Sequence, residues 1–128
     1  MEIFLKENQK VEVHYRGHVI KTDQPIMARG DDSAPSPFEL FLASIGACAG
    51  FYVKSFCNQR GLPHENIKLI QRMQKNDLNM IGSVDITIIV PADFPEKYKP
   101  MLEKAAGACS VKKHILNAPE FSIQTVTE

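Results

Sequence analysis

The chain has 128 residues, 44% of them hydrophobic, with 15 Lys plus Arg set against 15 Asp plus Glu. That length suffices for one domain, residues 1–128, with a core of its own. A net charge of zero and no acidic or basic tail argue against nucleic acid or an anionic membrane as partner.

In chain order, MEIFLKENQK lacks the apolar segment of a signal peptide, so a cytoplasmic location is expected. Ile3 to Leu5 predicts a short strand and Glu7-Asn8-Gln9 a polar turn. Val11, Val13 and Tyr15 alternate with Glu12, His14 and Arg16, the period of a half-buried strand. Arg16-Gly17 predicts a two-residue turn into His18–Lys21, which gives a three-stranded β-meander. Arg29 to Ser36 (RGDDSAPS) is a loop by composition, and its RGD triplet, without a secretion signal, is a chance match.

The next stretch organises the chain. Ser36 and Glu39 form a capping box around Pro37, and Gly61 with Pro63 stops the helix that begins there. From Leu40 to Val53 this helix carries no charge. A run shorter than the roughly 18 apolar residues of a membrane span predicts a helix buried on all sides in a core. Ala43, Ser44, Gly46, Ala47, Ala49 and Gly50 keep its middle thin, so another element can approach; Cys48 lies within that section.

Ile67 to Gln74 and Val84 to Val90 then predict a second hairpin about a turn at Asn76–Asn79. Pro91 ends it, and Asp93 is placed to cap the next helix. Glu96–Ala108 has helical spacing, with Pro100 either kinking it or opening a second piece. Ser110–Asn117 predicts a further short helix, and Phe121, Ile123 and Thr125 a closing strand. The order βββ-α-ββ-α-α-β is that of an α+β domain.

Three cysteines are too few for a disulfide scaffold and act as free thiols or redox groups. A lone cysteine in an apolar helix, such as Cys48, is first of all a small buried hydrophobe. Cys57 lies nine residues further on, about 13 Å along the same helix and on the opposite side, which forbids a Cys48–Cys57 disulfide. Cys109 stands between two helices, followed by Lys112, Lys113 and His114. It either completes the apolar stripe of the preceding helix or sits as a thiolate beside cations and a helix start. The four histidines lack zinc-ligand spacing with the cysteines, so no metal is expected, and no phosphate loop or nucleophile elbow occurs.

SPFELFLASIGACAGFYV resembles the first cysteine helix of the osmotically inducible protein C (OsmC) and organic hydroperoxide resistance family, and GACSVKKHILNAPEFSI its second cysteine region. The two motifs, in this order and spacing, extend the likeness over nearly the whole chain. The resemblance implies an intertwined homodimer with its active site at the interface and no cofactor. It implies a cytosolic peroxidase reducing organic hydroperoxides in oxidative stress defence. Cys48 would be attacked and Cys109 would resolve it as a disulfide, and a dithiol reductant would recycle the pair. An arginine from the N-terminal sheet, matched near Arg16, and a glutamate before the helix would assist. Counted back from Cys48, the family's glutamate position falls on Phe38, with Glu39 one residue later. Phe38, Phe41, Ile45, Phe51 and Tyr52 offer apolar surroundings suited to organic peroxides. Phe38 also favours an alternative, a non-catalytic protein of the same fold holding a small apolar or electrophilic ligand at the dimer interface. A third reading makes the cysteines structural.

Overall fold

A computed structural model describes residues 1–127. They divide into two compact units, 1–44 and 45 onward, and one long helix includes residues of both. The elements are those of a mixed α+β chain.

In the first unit, β1 (Glu2–Leu5), β2 (Val11–Tyr15) and β3 (His18–Thr22) form the expected antiparallel meander, in that order. Tyr15 pairs with His18, so Arg16 and Gly17 are the whole β2–β3 loop. Both have positive φ, 53° and 81°, as the primed two-residue hairpin turn demands. The register aligns Ile3, Val13 and Ile20 across one sheet face, next to Leu5 and Val11. Ile3, Leu5 and Ile20 remain exposed, so this apolar face is open to solvent.

Directly after β3, Asp23 is wholly buried. Its carboxylate accepts N–H bonds from Gln24 (2.8 Å), Asp31 (3.2 Å) and Ser33 (3.0 Å), and the Ser33 hydroxyl donates at 2.7 Å. The Ser33 hydroxyl leads the interactions that hold its pKa down to about 2. These bonds tie the RGD loop into a defined shape, with Arg29 and Asp32 at left-handed φ of 65° and 52°.

Helix α1 (Pro37–Gln59) starts as its sequence requires. Glu39 N–H donates to Ser36 Oγ at 3.3 Å, and Ser36 N–H donates to Glu39 Oε2 at 2.7 Å. It ends in a Schellman motif: Leu62 N–H reaches the Cys57 carbonyl at 3.0 Å and Gly61 N–H the Asn58 carbonyl at 3.3 Å. Gly61, at φ 63°, supplies the left-handed residue.

The second unit packs α1 with a hairpin and two helices. β4 (Lys68–Lys75) pairs antiparallel with β5 (Ile81–Ile89), with an irregularity at Gln74/Lys75. The turn is held by Asn76 Oδ1, which accepts from Leu78 N–H at 3.0 Å and Met80 N–H at 3.1 Å. Pro100 does open a second piece: a 3-10 turn at Glu96–Tyr98 precedes α2 (Lys99–Gly107), where Pro100 occupies the first turn and displaces no hydrogen bond. Asp93 does not cap it; the chain enters from Pro95 without a side-chain cap. α3 spans Ser110–Leu116. Val53, Phe56, Cys57, Phe94 and Leu102 form the core, flanked by Leu69, Ile88, Tyr98 and Ala105.

Two expectations need correction. The helix is not buried on all sides. Its buried residues Ile45, Ala49, Val53, Phe56 and Cys57 make one stripe, and Phe51 is 64% exposed. A hairpin and two short helices cover only one side of a 23-residue helix. By length and composition α1 could also cross a membrane, and the stripe is what marks it as a core helix. Nor does the expected closing strand form: residues 117–127 have no regular structure, and Phe121 and Ile123 are exposed. Alternation alone makes no strand without an edge to pair with.

The Asp23 network gives the first unit an acid signature. A folded pKa near 2 lies below the ordinary 3.8, so its stabilisation is full above about pH 4 and is lost as pH falls from there toward 2. Asp23→Asn should lower the thermal midpoint by several degrees at neutral pH and flatten the acid loss over that window, followed by circular dichroism. An acid profile identical to the parent's would contradict this role.

Candidate active site at the paired cysteines

α1 and α3 bring Cys48 and Cys109 together. Cys48 is half-buried on the fourth turn of α1, and Cys109 is 2% exposed at the start of α3. The polar groups on the Cys48 sulfur come from α3. Val111 N–H contributes most, with the Cys109 thiol and Ser110 N–H, and together they draw the Cys48 pKa below its ordinary value despite burial. Cys109 shifts the other way. Burial leads, and its hydrogen bond to Cys48 keeps its proton in place. The two thiols are thus shifted in opposite directions.

The backbone at this junction explains the division. Cys109 is the N-cap of α3, its sulfur accepting the Lys112 N–H at 3.4 Å. Cys109 does not continue α2, which ends at Gly107; it is buried as the cap of the next helix, and burial raises its pKa, opposite to the shift that the thiolate alternative needs. Its own thiol also lies 4.0 Å from the Ile45 carbonyl of α1. The first N–H groups of α3 have no partner within the helix, so they are free to face sulfur.

Close approach depends on small residues in α1. A Cβ at Gly46 would lie 2.7 Å from Gln71 Oε1 of β4, so only glycine fits there without movement. Gly50, by contrast, faces open space. Cys109 also lines a cavity of about 330 Å³. Ile45 and Ala49 of α1, Val84, Ile86 and Ile88 of β5, and Ile115 of α3 give it apolar walls, with Glu103 and Lys112 as its charged members.

The remaining candidates lie elsewhere. Cys57 is completely buried in the core, burial raises its pKa, and it takes no part in the pair. Arg16 occupies the tip of the β2–β3 hairpin in the first unit. The Glu39 carboxylate is engaged in the helix cap, and the Ser36 N–H is the main reason its pKa is lowered. Phe38 stacks on Phe41, ring centroids 5.7 Å apart. Among the described residues, no group of three His, Cys, Asp or Glu converges as metal ligands.

Sequence reasoning sought a cation for Cys48 and passed over the N–H groups of Ser110 and Val111. It also read Tyr52 only as apolar lining, whereas its hydroxyl lies 3.1 Å from Ser110 Oγ. The signal was available: Tyr52 is four residues after Cys48, on the same helix face.

The opposed shifts predict an order of reactivity. At neutral pH, iodoacetamide should alkylate Cys48 first, Cys109 much more slowly, and Cys57 only on unfolding, as read by peptide mass spectrometry. Cys109 reacting before Cys48 would contradict the electrostatics described.

The family profile described as OsmC-like protein matches residues 30–124, a range that contains both cysteines of the pair. A solved structure described as an osmotic stress induced and detoxification response protein, from Psychrobacter arcticus 273-4, superposes with a TM-score of 0.74 at 18% identity, covering 88% of this chain and 84% of that one. At that identity the likeness speaks for the fold. No curated protein matches the sequence. Fold, cysteine placement and a profile covering most of the chain agree: this protein belongs to the OsmC-like family.

Proposed function

We propose that this protein is a thiol-dependent peroxidase that reduces organic hydroperoxides through Cys48 and Cys109, with a role in defence against oxidative or osmotic stress. What carries the reading is the approach of Cys48 on α1 to Cys109 at the start of α3, with the Cys48 pKa shifted down and that of Cys109 up. Family membership and the stress description of the Psychrobacter relative support the wider role.

The two thiols dictate the steps. The Cys48 thiolate attacks the distal oxygen of the hydroperoxide. An S–O bond forms, the O–O bond breaks, and the alkoxide leaves as the alcohol after taking a proton. Cys48 is now a sulfenic acid, which over-oxidises unless a second thiol is within reach. Cys109 is that thiol. Its sulfur attacks Cys48, an S–S bond forms, the S–O bond breaks and water leaves with the Cys109 proton. An external dithiol returns the pair to thiols by exchange, itself ending as a disulfide. The apolar cavity bordering Cys109 suits the organic part of such a substrate better than it suits hydrogen peroxide.

Arg16 is proposed, by resemblance, as the cation that adds to the N–H groups at Cys48. Glu39 is the corresponding carboxylate, one residue beyond the position that Phe38 occupies. That substitution supports a second reading, a binding protein for a small apolar or electrophilic ligand.

A steady-state assay with an organic hydroperoxide and several dithiols separates the readings. The parent should turn over, Cys48→Ser should not, and Cys109→Ser should oxidise once and then over-oxidise. In the same assay Arg16→Met should slow Cys48 oxidation, about tenfold for each 1.36 kcal/mol of lost transition-state stabilisation. Absence of turnover with every dithiol, alongside saturable ligand binding, would move the binding reading ahead.

A homodimer is proposed as the working form. The open apolar sheet face with Ile3, Leu5 and Ile20, and the exposed Phe51 on α1, are surfaces a second copy would cover. An obligate interface of this kind exceeds about 2,000 Å². Light scattering at micromolar concentration should return twice the chain mass, and a monomer there would overturn the proposal.

A further inference from the structure

The cavity that Cys109 lines lies wholly within the second unit, and its lining differs with depth. Ile45, Ala49 and Cys109 form a buried floor. Glu103 of α2 and Lys112 of α3 are exposed, so they stand at the mouth. The volume of about 330 Å³ is about twice the roughly 150 Å³ of an apolar cavity that takes benzene. An aliphatic chain of about eight to ten carbons fills such a space, and the apolar walls favour burying it.

The head group of a chain held there meets the two charges at the mouth, and these are not equivalent. Lys112 reaches back to the last residue of α2: its Nζ lies 3.9 Å from where a Cβ on Gly107 would stand. The partnerless carbonyls at a helix C-terminus compensate an ammonium in that place. Glu103 has no such counterpart. Among the described residues it takes part in no ion pair, and Lys99, one turn earlier on α2, is engaged by Glu96. The Glu103 carboxylate is therefore the uncompensated charge that a head group faces.

We propose that Glu103 is a specificity-determining residue of this cavity, which admits aliphatic chains of about eight to ten carbons with an uncharged head and turns away those that end in a carboxylate. The inference rests on the peroxidase reading only in naming the natural ligand, which under that reading is a neutral alkyl hydroperoxide with its chain in the cavity. The preference itself is a matter of binding. Apolar burial supplies the affinity equally for both head groups, and the repulsion at the mouth separates them.

Isothermal titration calorimetry of the intact reduced protein with 1-octanol and with octanoate tests this, since the two share a chain and differ in charge. At low salt, 1-octanol should bind about fivefold more tightly than octanoate, and the gap should narrow as salt screens the carboxylate. Glu103→Gln, on an exposed position, should bring octanoate to within about twofold of 1-octanol and leave 1-octanol unchanged. Ala106→Leu on α2 and Ile115→Trp on α3 narrow the cavity from two sides, and either should weaken both ligands alike with the fold intact by circular dichroism. Octanoate binding as tightly as 1-octanol, or a preference that survives Glu103→Gln, would overturn the proposal. So would failure of the parent to bind 1-octanol, or 1-octanol binding that neither cavity variant alters, since the chain then lies elsewhere. Because no hydroperoxide is involved, a protein that shows this preference without turnover refutes the peroxidase reading and leaves the inference standing.

Discussion

The Cys109 cap at the start of α3 is the interaction on which the placing of the two cysteines depends. Lys112 N–H donates to Cys109 Sγ at 3.4 Å, and the Val111 and Ser110 N–H groups act to lower the Cys48 pKa. A thiol in an apolar helix would ordinarily hold its proton, because burial disfavours the thiolate. Backbone donors outweigh that at Cys48 and lower its pKa, while burial raises that of Cys109. The two thiols are thus shifted in opposite directions by burial and by the backbone at the start of α3.

Other features of the second unit serve that junction. α1 must be thin where α3 and β4 approach, and Gly46 meets the demand against Gln71. The buried stripe through Val53, Phe56 and Cys57 anchors the helix in the core, so its Cys48 end has a fixed support. Cys57 contributes as packing: it is wholly buried, and burial raises its pKa. The breaks at Gly107 and Cys109 turn the chain so that one helix start, rather than one helix middle, faces α1.

The sequence was most informative where local rules act. The Arg16-Gly17 turn, the Ser36–Glu39 capping box, the Gly61 stop and the role of Pro100 are each decided by a few neighbouring residues. It was least informative where the outcome depends on what lies opposite. A charge-free run does not say how many of its sides will be covered, and α1 is covered on one. Phe121, Ile123 and Thr125 alternate as a strand would, yet pairing needs an edge that alternation cannot supply. At the site, the pairing of Cys48 with Cys109 was available only from resemblance, and helix periodicity excluded Cys57. The N–H donors were invisible, because backbone groups carry no sequence signature of their own. Tyr52 was visible but was valued for its ring and not for its hydroxyl.

The central claim is that Cys48 and Cys109 form one redox unit and Cys57 stands outside it. One equivalent of an organic hydroperoxide added to the reduced protein, with non-reducing peptide mapping of the product, tests this most directly. The account predicts a Cys48–Cys109 disulfide as the main product, with Cys57 recovered as free thiol. A product containing Cys57, or Cys48 driven to sulfinic acid beside an unreacted Cys109, would contradict it.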